Sequence, residues 1–166
     1  MKRVLLTGMS GVGKSAVLEE LAARGYRAVD TDYGGLSEVV SVPPETPTGL
    51  SPGHDWVWRE DRIQDLLSTA DTDVLFLGGC APNQVKFYPQ FDHIILLTAP
   101  VPVIIERLAT RTTNPYGKRP EEVARVLNLA QTIEPLLRRG SQHVIDTRGP
   151  LSQVVTRVLR LVGEHV

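Results

Sequence analysis

Apolar runs alternate with stretches of helical periodicity along the whole chain. The pattern predicts strands near 3–7, 27–30, 73–78, 92–98 and 142–146, and helices near 14–24, 56–70, 100–111, 120–138 and 150–163. Two of the runs, DVLFLG and HIILLT, are continuously apolar rather than alternating, which marks strands covered on both faces. Strands separated by helical segments imply right-handed crossovers, and so a parallel sheet with helices on both sides. The last helix has the clearest stripe, Leu151, Val154, Val155, Val158 and Leu161, with Pro150 near its first turn. In the 56–70 segment Trp56, Ile63, Leu66, Leu67 and Ala70 share a core-facing stripe, Arg59 falls on it, and Trp58 and Arg62 fall opposite. The proline- and glycine-rich stretch SVPPETPTGLSPGHD reads as a long loop on the ligand side. TRTTNPYGKRP (110–120) is a second irregular connection.

Between the first strand and the first helix stands GMSGVGKS, which fits G-x-x-x-x-G-K-[ST] with Gly8, Gly13, Lys14 and Ser15 at the defining positions and Gly11 as an extra glycine. A strand, a glycine-rich turn and a helix N-terminus gather backbone N–H groups around one point, with the positive end of the helix dipole behind them. That arrangement suits a polyphosphate. Gly8, Gly11, Val12, Gly13, Lys14, Ser15 and Ala16 are therefore the predicted nucleotide cradle, with Lys14 reaching the β- and γ-phosphates and the Ser15 hydroxyl on magnesium.

The chain has 166 residues, enough for one ordinary domain, and the reading takes 1–166 as a single unit. Its formal charge of −1, from 18 basic and 19 acidic residues, leaves no electrostatic footprint for nucleic acid. One cysteine, Cys80, cannot form an internal disulfide and reads as a small buried hydrophobe. With no long apolar run and no leader-like N-terminus, the expectation is a cytoplasmic protein without a membrane partner, acting as a monomer or homodimer. The four histidines are scattered without zinc-ligand spacing, so the metal expected is magnesium arriving with the nucleotide.

Ligands of open parallel sheets bind beyond the carboxyl ends of the strands. The second predicted strand ends in VDTD, which puts Asp30 and Asp32 near the phosphate loop, one to hold magnesium through water and one to take a proton from a substrate hydroxyl; either can instead cap the following turn. Arg59, on a core-facing stripe, is expected to meet an anion at the edge of a cleft. Gly78 and Gly79 stand where many nucleotide hydrolases carry a Walker B aspartate, so Ser15, Asp30 and Asp32 are left as the metal ligands. The two glycines permit close approach of a ligand to backbone. Arg107 and Arg111, one turn apart, lead into a loop able to close over ATP and bring positive charge to the transferring group.

In this order the phosphate loop, D-x-D, the Trp58–Arg59 pair, GG and R-x-x-x-R resemble shikimate kinase, and the wider group of gluconate kinases and nucleoside monophosphate kinases. The resemblance implies a P-loop NTPase fold, a three-layer α/β/α sandwich with a five-stranded parallel sheet in order 2-3-1-4-5 and a lid near 112–119. It implies ATP-dependent phosphoryl transfer to a small-molecule acceptor held within about 31–66. Acceptor contacts would come from Asp32, Arg59, Gly78 and Gly79, adenine packing from Arg107 and the 146–150 loop with Arg148 and Pro150, and a lid arginine from Arg111. The chain departs from the shikimate kinase pattern at Ile133, where that family carries a further arginine, and at Cys80, Arg62 and NPYGK. Two alternatives stay open: a nucleoside monophosphate kinase, with Trp56 and Trp58 as stacking surfaces, and a P-loop ATPase or switch that phosphorylates nothing.

Overall fold

A computed structural model of the chain describes residues 1–69 and 71–165. With strands numbered along the chain, its central layer sets β2 (Arg27–Asp30), β5 (Val74–Gly78), β1 (Lys2–Thr7), β6 (His93–Thr98) and β7 (His143–Asp146) side by side in that order. All four pairings are parallel. Counted among themselves, these five strands run 2-3-1-4-5, the order that the resemblance implies.

Alternation along the strands divides the core between two faces. Val4, Leu6, Phe76, Ile95 and Leu97 pack beneath α1 (Lys14–Ala23), α3 (Val101–Thr110) and α6 (Leu151–Leu161), through Val17, Leu21, Ile104, Leu108 and Val155. Leu5, Leu75, Leu77 and Ile94 face the other way, against Ile63 and Leu67 of α2 (Glu60–Ser68) and Phe87 of the 3-10 segment Pro82–Gln90. The predicted stripe of the last helix is buried at Val154, Val155 and Val158, joined by Leu159, while Leu151 stands 40% exposed.

The segment 56–70 differs from its predicted form. It begins as a strand, β4 (His54–Trp58), which pairs antiparallel with β3 (Ser37–Ser41) so that Ser37 stands opposite Trp58. Only from Glu60 does the chain turn helical, with Glu60 and Asp61 in the first turn where the helix dipole favours acids. Trp58, expected opposite the core-facing stripe, is instead 2% exposed, packed on Phe87 and tied through its indole N–H to Thr31 Oγ1 at 3.0 Å. Ala70 lies outside the described residues. The predicted loop survives as 42–53, the connection between β3 and β4, and its prolines stand in that connection rather than in either strand.

The predicted helix 120–138 is two helices, α4 (Pro120–Thr132) and α5 (Glu134–Gly140). Pro135 supplies no N–H for a continuing helix and sits in the first turn of the second. The break turns α5 back toward the sheet, where Leu137 is buried, and leaves Ile133 on the inner side of the bend.

Gly78 and Gly79 end β5 in contact with protein. A Cβ on Gly78 would overlap Leu18, and one on Gly79 would overlap Thr31 Oγ1 and press on the Trp58 indole. Gly79→Ala is thus expected to split the Thr31–Trp58 hydrogen bond and to destabilise the chain by about 1–3 kcal/mol, the range for overpacking a core. Urea unfolding followed by tryptophan fluorescence measures it.

Candidate functional site

The phosphate loop leaves β1 at Gly8 and enters α1 at Lys14. Gly11 and Gly13 take φ of 87° and 102°, conformations that side-chain-bearing residues rarely adopt, and these two turns swing the loop back over the helix N-terminus. Gly13 O accepts the first helical hydrogen bond, from Val17 N at 3.1 Å. No acid stands in the first turn of α1, so the positive end of that helix is not compensated from within.

Lys14 curls back over its own loop, donating to the carbonyl oxygens of Gly8 and, at 3.0 Å, of Met9. Burial pushes its ammonium below the ordinary lysine range, while Asp32 and Asp30 nearby act in the other direction. The two aspartates take different parts. Asp30 accepts the Ser15 hydroxyl at 2.9 Å through Oδ2 and the backbone N–H of Asp32 at 3.0 Å through Oδ1, so it caps the turn and binds the loop serine at once. Asp32 turns away, and its Oδ1 accepts the Trp56 indole N–H at 2.8 Å. Ser15 and Asp30 offer a pair of hard oxygens, the donor type magnesium prefers, and Asp32 stands apart from them.

Beyond Asp32 opens a cavity of about 920 Å³. Its walls come from the phosphate loop, the 42–53 connection, β4, the 3-10 segment and the bend between α4 and α5. Lys14 and Asp32 stand on its wall, as do Trp56, Asp55, Cys80, Tyr88 and Ile133. Gln84 sits in its floor, 2% exposed, giving its amide N–H to Thr7 Oγ1 at 3.0 Å and to Tyr88 Oη at 3.1 Å. Burial raises the Cys80 thiol and the Tyr88 hydroxyl above their usual ranges. Cys80 is thus a partly buried wall residue kept as the thiol, not a member of the core.

Three predicted acceptor contacts are not on the cavity wall. Arg59 stands at the N-terminus of α2, its Nε 3.6 Å from Glu38 Oε2 and buried without a hydrogen-bond partner. Gly78 and Gly79 are buried under Leu18 and under the Thr31–Trp58 pair, which takes up the space a ligand would need. Sequence spacing placed Arg59 on a helix face; the strand before it changes that face. Asp55, Tyr88 and the α4–α5 wall escaped sequence reading, because only the hairpin and the bend at Pro135 bring them together.

On the nucleotide side Arg107 clamps two loops. Its guanidinium donates to Val12 O at 3.1 Å, Thr147 Oγ1 at 2.9 Å and Thr147 O at 2.9 Å, and Thr147 Oγ1 itself donates to Val12 O at 2.6 Å. Arg148 is exposed and pairs with Asp146 at 2.8 Å, holding that carboxyl below the usual range, and Pro150 caps α6. Arg111 donates to Asn114 O at 3.0 Å and Tyr116 O at 2.7 Å, which folds the 112–117 turn around its guanidinium. Glu122 closes the other side of that turn by accepting from Gly117 N at 3.2 Å. Among the described residues no helix is long and apolar enough to cross a membrane, and no group of three or more histidine, cysteine or acidic side chains could hold a metal ion by itself.

Known proteins share this fold. The sequence is 28% identical to a shikimate kinase of Halorhodospira halophila, across 93% of this chain and 89% of that one. The fold matches that of a shikimate kinase from Acinetobacter baumannii in complex with shikimate, with a TM-score of 0.64 at 20% identity over 98% of this chain and 93% of that one. It also matches a gluconokinase from Sinorhizobium meliloti, with a TM-score of 0.57 at 17% identity over 97% and 91% of the two chains. Residues 4–128, from the central strand through the phosphate loop, the hairpin and the 112–117 turn into α4, match the AAA domain family, and the chain belongs to it.

Proposed function

We propose that this P-loop phosphotransferase moves the γ-phosphoryl group of ATP to a hydroxyl of a small molecule held in the 920 Å³ cavity. The position of Asp32 carries the reading. Its carboxylate lies on the cavity wall with Lys14, held by the Trp56 indole rather than spent on the loop serine. A base in that place meets an acceptor hydroxyl on one side and the transferring group on the other.

The phosphate loop and the α1 N-terminus bind the polyphosphate through backbone N–H groups. Lys14 exchanges the carbonyls of Gly8 and Met9 for phosphate oxygens, and Arg107 keeps Val12 and Thr147 together beside the nucleotide. Ser15 and Asp30 would hold magnesium, Asp30 through water; the ion, when bound, neutralises charge on the β- and γ-phosphates. As the acceptor oxygen bonds to the γ-phosphorus and the bond to the bridging oxygen breaks, Asp32 takes the hydroxyl proton. Arg111, at the foot of the lid, would release its two carbonyls to the phosphoryl oxygens when the lid closes.

The cavity argues against a nucleoside monophosphate as acceptor. Its wall holds Lys14 and an exposed Arg139 but not Arg59, and Trp58 is in the core rather than free to stack on a base. A dedicated cavity likewise speaks for an acceptor and against simple hydrolysis.

Lys14→Ala is expected to lower ATP turnover by about 100-fold or more through loss of phosphate stabilisation, with the circular dichroism spectrum unchanged. Asp32→Asn is expected to cut turnover by about 100-fold while ATP binding stays, which separates a base from a turn residue. The reading itself is tested by ATP consumption with magnesium over a panel of shikimate, gluconate, amino alcohols, nucleosides, nucleoside monophosphates and a no-acceptor control. Stimulation by a hydroxyl compound is the expected result, and hydrolysis indifferent to every acceptor would sink it.

A further inference from the structure

The charges on the cavity wall are distributed unlike those of a site for an anionic acceptor. Lys14 belongs to the phosphate loop and Arg139 is exposed at the rim, while Asp32 and Asp55 are the two acids of the wall. Arg59 faces Glu38 outside it, and Ile133 brings an apolar side chain to the bend of α4 and α5. Most of the remaining wall is apolar or aromatic, including Leu50, Trp56, Tyr88, Tyr116, Leu129 and Leu136. The apolar character continues outward, since Tyr33, Val85 and Leu136 line the cavity yet stand 58%, 57% and 55% exposed.

Asp55 is half-buried, and its carboxylate accepts from the backbone N–H of Trp56 at 2.8 Å. Among the described residues no lysine, arginine or histidine pairs with it. Burial pushes its carboxyl above the ordinary range. A carboxylate in such a place gains from a cation brought by a ligand, and it repels a ligand carboxylate. The Trp56 indole stands on the same cavity wall and offers a face of the kind that attracts a cation. Tyr88 Oη already accepts from Gln84, which leaves its own proton for an acceptor oxygen.

We propose that the acceptor is a hydroxylated amine with an apolar or aromatic body, its protonated nitrogen set against Asp55 and Trp56 and its reacting hydroxyl against Asp32. This rests on the cavity being the acceptor site of the phosphotransferase. The two carboxylates then divide the work: Asp32 handles the hydroxyl proton, and Asp55 selects the acceptor by charge.

Three compounds that share a phenyl ring and a hydroxyl-bearing carbon make the test: 2-amino-1-phenylethanol, 1-phenylethane-1,2-diol and mandelate. Each is titrated calorimetrically into the full chain saturated with a nonhydrolysable ATP analogue and magnesium. The amine is expected to bind about tenfold tighter than the diol, as a charge-assisted contact would give, and mandelate weakest. Asp55→Asn is expected to erase the gap between amine and diol while the affinity for the ATP analogue is kept. Mandelate binding as well as the amine, a gap that Asp55→Asn leaves in place, or binding of none of the three overturns the inference. The wild-type ranking decides alone if the variant fails to fold. A chain that binds the ATP analogue but prefers mandelate refutes the amine and spares the phosphotransferase; a chain that does not bind the analogue refutes both.

Discussion

β1 is paired on both edges, by β5 and β6, and covered on both faces, so its end cannot move relative to the sheet. The chain must reverse from that end into α1 within a few residues, and Gly11 and Gly13 make the reversal possible by taking positive φ. Every group around the proposed chemistry is placed with respect to this turn. Lys14 lies folded onto it, Ser15 joins it to Asp30 on β2, and Arg107 with Thr147 secures its far side at Val12. An anion bound there meets N–H groups that are already oriented, so little reorganisation is needed on binding.

A second constraint fixes the cavity side. Thr31 receives the Trp58 indole while its own carbonyl accepts the Ser37 hydroxyl at 2.7 Å, so the hairpin is sewn to the end of β2 from two of its residues. The pair fits only because Gly79 has no side chain. Since Asp30, Asp32, Asp55 and Trp56 hang on these same segments, packing of one tryptophan in the core sets the distance between Asp30 and the cavity. The cavity depends on packing as much as on its own wall residues.

The nucleotide half was legible because its signals are local. Strand, glycine turn, lysine, serine and helix follow one another between Lys2 and Ala23, and their spacing alone defines their geometry. The five strands were equally plain, since continuous apolar runs leave little choice of burial. The cavity half was not. The segment HDWVW is short, and the helical periodicity of the residues after it extends backward across it, so a strand was absorbed into a helix and Trp56, Trp58 and Arg59 were assigned the wrong faces. Pro135 marked a break that the apolar pattern on either side concealed.

By itself the sequence determined a parallel α/β sheet, a phosphate-binding turn and two aspartates at a strand end, because the apolar runs, the motif spacing and the strand boundary that signal them are each written in consecutive residues. Only the tertiary structure decided which aspartate joins Ser15 and which faces the cavity, that Arg59 stands outside it, and that Asp55 and the α4–α5 bend belong to it. Those outcomes depend on how a hairpin and a broken helix fold over the sheet edge. Residues far apart in sequence meet there through packing, which no local pattern records.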